Sequence, residues 1–128
     1  MDIPSFLRIY APFDELSEER LTEVVEHTHI EFHCADQVIL QSGGPPAEFL
    51  YVVRTGAVEL IDEGHVIDLL AEGEVFGHPS LLSGMSPIVS VRAHEDCICY
   101  LIDRELAEEI LGTHSGLAFL SSSLRRRV

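Results

Sequence analysis

Leu21, Val24 and Val25 recur three and four positions apart inside "LSEERLTEVVEHT", the spacing that lines up one face of a helix. Ser17 stands ahead of the run, where its hydroxyl can accept from a first-turn N–H, and Glu18 and Glu19 follow where the helix dipole favours acids. One amphipathic helix is predicted there. From His29 onward the apolar period drops to two and turn residues become dense. Strands are predicted at 30–34, 37–41, 48–53, 57–61, 65–70, 88–93 and 97–102. Between them lie Ala35-Asp36, "SGGPP", "RTG", "DEG" and "AEGE", all turn chemistry. Seven short strands with tight turns predict a mainly β protein, an antiparallel β-roll or jelly-roll. After the last strand, "DRELAEEILG" reads as a helix capped by Asp103 and stopped by Gly112. "THSGLAFLSSSLRRR" then predicts a final helix carrying Leu117, Leu120 and Leu124 on one side.

At 128 residues and 46% hydrophobic, residues 1–128 have the size of one domain with a real core. Apolar runs such as "FLYVV" end well short of the roughly 20 residues of a membrane span. The start, "MDIPSFLRIYAPFDEL", lacks the charged and apolar regions of a secretory leader, so a cytoplasmic location is expected. Cys34, Cys97 and Cys99 have no zinc or redox spacing; Cys97 and Cys99 read as small apolar residues on one strand face. Lys+Arg 8 against Asp+Glu 22 gives −14, and every basic residue is arginine. Setting aside Arg125, Arg126 and Arg127 takes the balance to −17, which repels a phosphate backbone and argues against nucleic acid as a partner. Lysine-free acidity fits a salt-rich interior or a biased base composition equally well.

Helix, β-roll with a short helix inserted between strands, then closing helices: over residues 5–111 this order resembles the cyclic-nucleotide-binding domain family. Two stretches carry the resemblance. "GGPPAEFLYVVRTGAVEL" is similar to the family's glycine turn, strand, hairpin glycine (Gly56) and returning strand, and "AEGEVFGHPSLLSG" to the start of its phosphate-binding cassette, with Gly73, Phe76 and Gly77 in place. The resemblance implies a non-catalytic regulatory domain with a ligand site over Phe76, Gly77, His78, Pro79, Ser80, Leu81, Leu82, Ser86, Pro87, Ile88 and Val89. In members that bind cyclic AMP or cyclic GMP, a glutamate after the phenylalanine-glycine pair holds the ribose and a later arginine pairs with the phosphate. Here His78 and Pro87 stand at those places, and Ile88 where a small or hydroxyl residue often touches phosphate. Proline has no donor, and a charge-assisted hydrogen bond to phosphate contributes roughly 1.5–3 kcal/mol. Strand alternation turns Arg92 away if Val89, Val91 and Ala93 face the core. Pro79 at the first helical position would leave the N–H groups of Ser80, Leu81 and Leu82 as a backbone anion site, unless His78, a turn or water satisfies them.

"FGHPSLLSG" also resembles a narrower prokaryotic branch, in which the domain precedes paired cystathionine-β-synthase (CBS) domains and a nucleotidyltransferase-like domain. That resemblance implies a sensory front end in a longer chain, with such a domain as partner and a homodimer as a further possibility. Other chemistries have little to build on. His27, His29 and His33 are close in sequence but lack a metal-ligand pattern, and read as exposed or edge histidines. No nucleophile elbow, Walker loop or oriented Cys/His pair is present, so neither catalysis nor a cofactor is expected. No helix-turn-helix can be read within these residues. The expected function is therefore a sensor of a nucleotide or other small ligand different from cyclic AMP, relayed to a partner domain. The alternative is a ligand-free scaffold, its pocket closed by Ile88 and its Leu117, Leu120 and Leu124 stripe used for dimerisation or docking.

Overall fold

Residues 1–113 and 116–121 are described by a computed structural model. Its elements in chain order are α1 (Ile3–Leu7), α2 (Glu18–Glu26), β1 (Thr28–His33), β2 (Val38–Leu40), β3 (Phe49–Thr55), β4 (Val58–Asp62), β5 (His65–Leu70), β6 (Val75–Phe76), α3 (His78–Ser83), β7 (Ser90–Ala93), β8 (Cys97–Asp103) and α4 (Arg104–Leu111). Residues 116–121 add a helical turn. The strands pair antiparallel into two sheets, ordered β1-β8-β3-β6 and β2-β7-β4-β5, which is the β-roll the pattern predicts.

The central strands β3 and β8 of the first sheet are covered on both faces, and this explains why they read as continuous apolar runs rather than alternating ones. Leu50, Val52, Val75, Tyr100 and Ile102 meet the helices through Phe6, Leu7, Leu21, Val24, Leu106 and Ile110. Tyr51, Val53, Phe76, Cys97, Cys99 and Leu101 meet Val58, Leu60, Leu70, Val91 and Ala93 of the second sheet. Each fully buried large apolar side chain contributes roughly 1.5–3 kcal/mol, so these two layers carry most of the stability. Cys97 and Cys99 do share the inner face, and burial pushes both thiols above their ordinary range. They pack as inert small apolar groups.

The α2 prediction holds in detail, with Ser17 Oγ accepting from Arg20 N at 3.1 Å and Leu21 and Val24 buried. Elsewhere the pattern falls short. α1 is not predicted; Asp2 caps it by accepting from Ser5 N at 2.9 Å, with Pro4 in the first turn. Arg54 fastens α1 to the roll, its guanidinium 4.5 Å over the Phe6 ring and its Nε donating to Tyr100 OH at 3.1 Å. β6 is also unpredicted, since two residues show no period, and it exists only by pairing with β3 at Tyr51 and Val52. Asp103 stands at the N-cap of α4, but its side chain makes no cap bond; it lies 3.2 Å from His29 Nε2. Gly112 ends α4 in a right-handed conformation, so it stops the helix without a left-handed cap.

His33 does lie on an edge strand, since β1 is the outer strand of its sheet, but it is buried at the end of that strand, only 1% exposed. Its Nδ1 lies 3.0 Å from Gln37 Nε2, whose own carbonyl accepts from Cys34 N at 3.2 Å, so the amide presents a donor and the ring nitrogen accepts. Nε2 lies 3.1 Å from the Glu31 carboxylate without a hydrogen bond. Burial lowers the His33 pKa from 6.5, and Glu31 opposes this only partly. The native state then holds fewer protons on this ring than the unfolded chain. Stability from the neutral ring is present above pH 6.5 and declines as pH falls toward the native pKa, by at most about 1.4 kcal/mol per unit. Urea titrations between pH 7.5 and 5 should show that decline in the native protein and a flatter profile in His33→Gln. Parallel profiles would remove His33 as the cause.

Candidate functional site

The cassette begins where β6 ends. Phe76 stacks on Tyr51, with centroids 4.7 Å apart and planes at 11°, so it is a core residue that anchors the site from below. Gly77 then turns the chain with φ +87, and a Cβ there would lie 3.1 Å from both Phe49 O and Tyr51 Cδ1. Only glycine meets both demands. α3 starts at His78, one residue earlier than predicted, and Pro79 is exposed at its second position.

That shift removes the backbone anion site in its predicted form. The N–H of Leu81 is spent on Gly77 O at 3.0 Å, as the first bond inside the helix. Ser80 is 5% exposed and its hydroxyl accepts from Ala47 N at 2.9 Å while donating to Met85 O. It bolts α3 to the loop before β3 rather than facing a ligand. Leu81 is fully buried, while Leu82 is exposed.

The returning segment is likewise held by backbone. Pro87 is buried and its carbonyl accepts from Gly43 N at 3.0 Å, and Ser42 Oγ donates to Ile88 O at 2.8 Å. Ser90 Oγ accepts from Ser42 N at 2.9 Å, completing a hydroxyl-rich seam that sequence reasoning does not single out. Ile88 is 84% exposed, so it does not close a pocket as the scaffold reading expects. Ser86 is exposed and Val89, which precedes β7, is only half-buried. Arg92 points outward as predicted and takes Glu59 as its partner, with Nε and Nη2 donating to Oε2 at 3.0 and 2.7 Å. His94 Nδ1 lies 2.8 Å from the other oxygen; these two contacts, His94 before Arg92, hold the Glu59 carboxyl below its usual range.

The structure thus gathers Gly77, His78, Ser80 and Leu81 and leaves Leu82, Ser86 and Ile88 at the surface. His78 is 6% exposed, and its ring lies 5.9 Å from that of Phe119 in the helical turn 116–121. Phe119 is absent from the predicted set because the leucine spacing points elsewhere. Leu117 is 57% exposed, Leu120 is half-buried, and Leu124 lies outside the described residues. Among the described residues no three His, Cys, Asp or Glu side chains gather to hold a metal ion, and no helix is long and apolar enough to cross a membrane.

The site therefore sits on a β-roll with a glycine-led helix inserted between strands and helices closing the chain. Residues 30–114 match the profile of the cyclic nucleotide-binding domain, and the chain belongs to that family. Domains of this family regulate rather than catalyse. Over 120 residues the chain is 29% identical to cGMP-dependent protein kinase 2 of Homo sapiens, covering 88% of this chain and 16% of the kinase. The chain therefore spans a small part of that relative. Among solved structures, a putative cyclic nucleotide-binding protein from Geobacter metallireducens matches with TM-score 0.81 and 21% identity, covering 99% of this chain and 98% of that one. The regulatory subunit of a cAMP-independent protein kinase A from Trypanosoma cruzi, bound to guanosine, matches with TM-score 0.79 and 22% identity, covering 87% of this chain and 40% of that one.

Proposed function

We propose that this domain is a sensor for a ligand without a phosphate, of the nucleoside class, read beneath α3 and reported through the helical turn 116–121. The observation that carries the reading is the buried Pro87 at the place where the family's phosphate-binding members have arginine. Arg92, the nearest arginine in sequence, is committed to Glu59 on the outer face. A phosphate held there would lose water without gaining a counter-charge, in a chain already at −14. A nucleoside has no such penalty, and the trypanosomal relative bound to guanosine supplies a precedent.

Phe119 offers the relay. A ligand that engages His78 must reseat the Phe119 ring, and so bias the chain that leads out of the roll between two arrangements. Beyond it, the cassette resemblance names a CBS pair or a nucleotidyltransferase-like domain as the recipient. Guanosine, adenosine, cyclic AMP and cyclic GMP in a thermal-shift panel test the ligand class. A nucleoside at a hundredfold excess over its Kd should add about 2.7 kcal/mol, and cyclic AMP should add nothing. An equal or larger shift with cyclic AMP would overturn the reading. Phe119→Ala should keep nucleoside binding but lose its effect on protease protection of residues after Gly112, whereas unchanged protection would break the relay.

Burial of His78 beneath Phe119 also favours a second reading, in which the cassette is closed and the domain is a scaffold. Exposed Leu117 then supplies contact surface, and Leu117→Glu should dissociate a homodimer in analytical ultracentrifugation.

A further inference from the structure

An edge strand leaves a row of backbone N–H and C=O groups unpaired, and folded proteins blunt such edges with short strands, bulges, proline or charge. Among the described residues the two sheets have four edges, and three are blunted. β6 is two residues long. β2 has three residues and its register breaks at Ile39. In β5 the register breaks at Ile67, and the Asp68 carboxylate takes the Leu69 N–H at 2.8 Å. β1 carries none of these devices: its six residues pair with β8 without a break, from Thr28 opposite Ile102 to His33 opposite Cys97, and include neither proline nor lysine. No other segment among the described residues forms a backbone hydrogen bond with its outer side.

β1 is also apolar on one face. Ile30 is 62% exposed and Phe32 56%, on the face they share with Ile98 of β8. Charge decides what can lie against this edge. The chain carries −14, so a second copy approaches only where like charges are kept apart. In an antiparallel pair about a two-fold axis, one residue faces its own copy and every side chain keeps its face of the sheet. Centring such a pair on Glu31 sets two carboxylates opposite each other, which is destabilising. Centring it on Ile30 sets Ile30 against Ile30, and, twice over, Phe32 against Thr28 and His29 against Glu31. Both side chains of that last pair are open to solvent, and His29 meets Asp103 through Nε2, which leaves Nδ1 for Glu31.

The geometry points to β1 as a self-association edge, to which a second copy of this chain adds its own β1 antiparallel and centred on Ile30, so that the first sheet continues from one copy into the other. Backbone bonds along the open edge supply affinity. Ile30 and Phe32 of both copies exclude water on one face, and the two His29–Glu31 pairs fix the register on the other. This contact is separate from the Leu117 surface and does not depend on the reading of the cassette.

Sedimentation velocity on residues 1–128 tests it, with a concentration-dependent dimer expected. Phe32→Lys places an edge charge at an exposed position and should weaken the dimer about tenfold without lowering the melting temperature. Ile67→Lys, similarly exposed on β5, should change nothing. Leu117→Glu, which dissociates a dimer under the scaffold reading, should leave this one intact. The register is read by oxidative crosslinking in a Cys34→Ser background, which removes the exposed native thiol. Residues directly opposite have Cα atoms about 4.5 or 5.5 Å apart, within disulfide reach, so Ile30→Cys should link to its copy. Phe32→Cys should not, because an offset of four residues at about 3.4 Å each holds its two copies about 14 Å apart. A monomer up to millimolar concentration, a dimer that resists Phe32→Lys, a dimer dissociated by Leu117→Glu, or equal linking of the two cysteine variants would overturn the proposal.

Discussion

Gly56→Ala is expected to remove about 2–5 kcal/mol of stability, the sum of a left-handed penalty of about 1–2 and an overpacking penalty of about 1–3. Gly56 has φ +83 between β3 and β4, and a Cβ would stand 2.5 Å from Asp96 O and 2.7 Å from Cys97 Cβ. Those atoms open β8, which is paired on both sides by β1 and β3 and has nowhere to move. Against a typical total of roughly 5–15 kcal/mol, this is a large share. Gly64 supplies the control, with φ +82 and nothing within 4 Å of its added Cβ. Gly64→Ala should lose only the conformational part, about 1–2 kcal/mol. Urea midpoints for the two variants decide the matter, and equal losses would show that the β8 contact is not the source.

Pro87→Arg is expected to bring cyclic AMP into range, with an affinity gain of about tenfold to a hundredfold from one charge-assisted pair on the phosphate. The backbone at this position is already held, because the Pro87 carbonyl accepting from Gly43 N needs no proline ring. Competition against a fluorescent cyclic nucleotide measures the gain. Phe119→Ala in the same background separates two kinds of failure, since it lifts the ring from His78. No gain in either background would mean that the segment 84–89 does not face a phosphate site, and the nucleoside reading would fall with it. By contrast, Gly77→Val is a poor probe of binding, because its side chain would strike Phe49 O and Tyr51 and disturb the fold as well.

The helix at Ser17–Glu26 and most strands are legible because their signals are local. A cap hydroxyl, a three-and-four spacing and a period of two need no knowledge of the rest of the chain. β6 and α1 are not, because each is too short to show a period and is stabilised by partners distant in sequence, Tyr51 for one and Arg54 for the other. His33 illustrates the same limit: its parity on β1 is readable, but its burial comes from the roll closing over that end of the strand.

The candidate site divides along the same line. The place of the inserted helix and the left-handed Gly77 before it follow from residue types in order, which is all that backbone conformation requires. Which side chains meet there depends on contacts between segments far apart in the chain. Ser80 turns inward to Ala47, Ile88 turns out to solvent, and Phe119 rather than the leucine stripe comes to rest near His78. Sequence alone determined the roll and the glycine-led turn that opens the helix inserted between its strands. Only the tertiary structure decided which groups are buried and already satisfied, such as the Ser80 hydroxyl between Ala47 N and Met85 O, because hydrogen bonds and burial depend on neighbours in space.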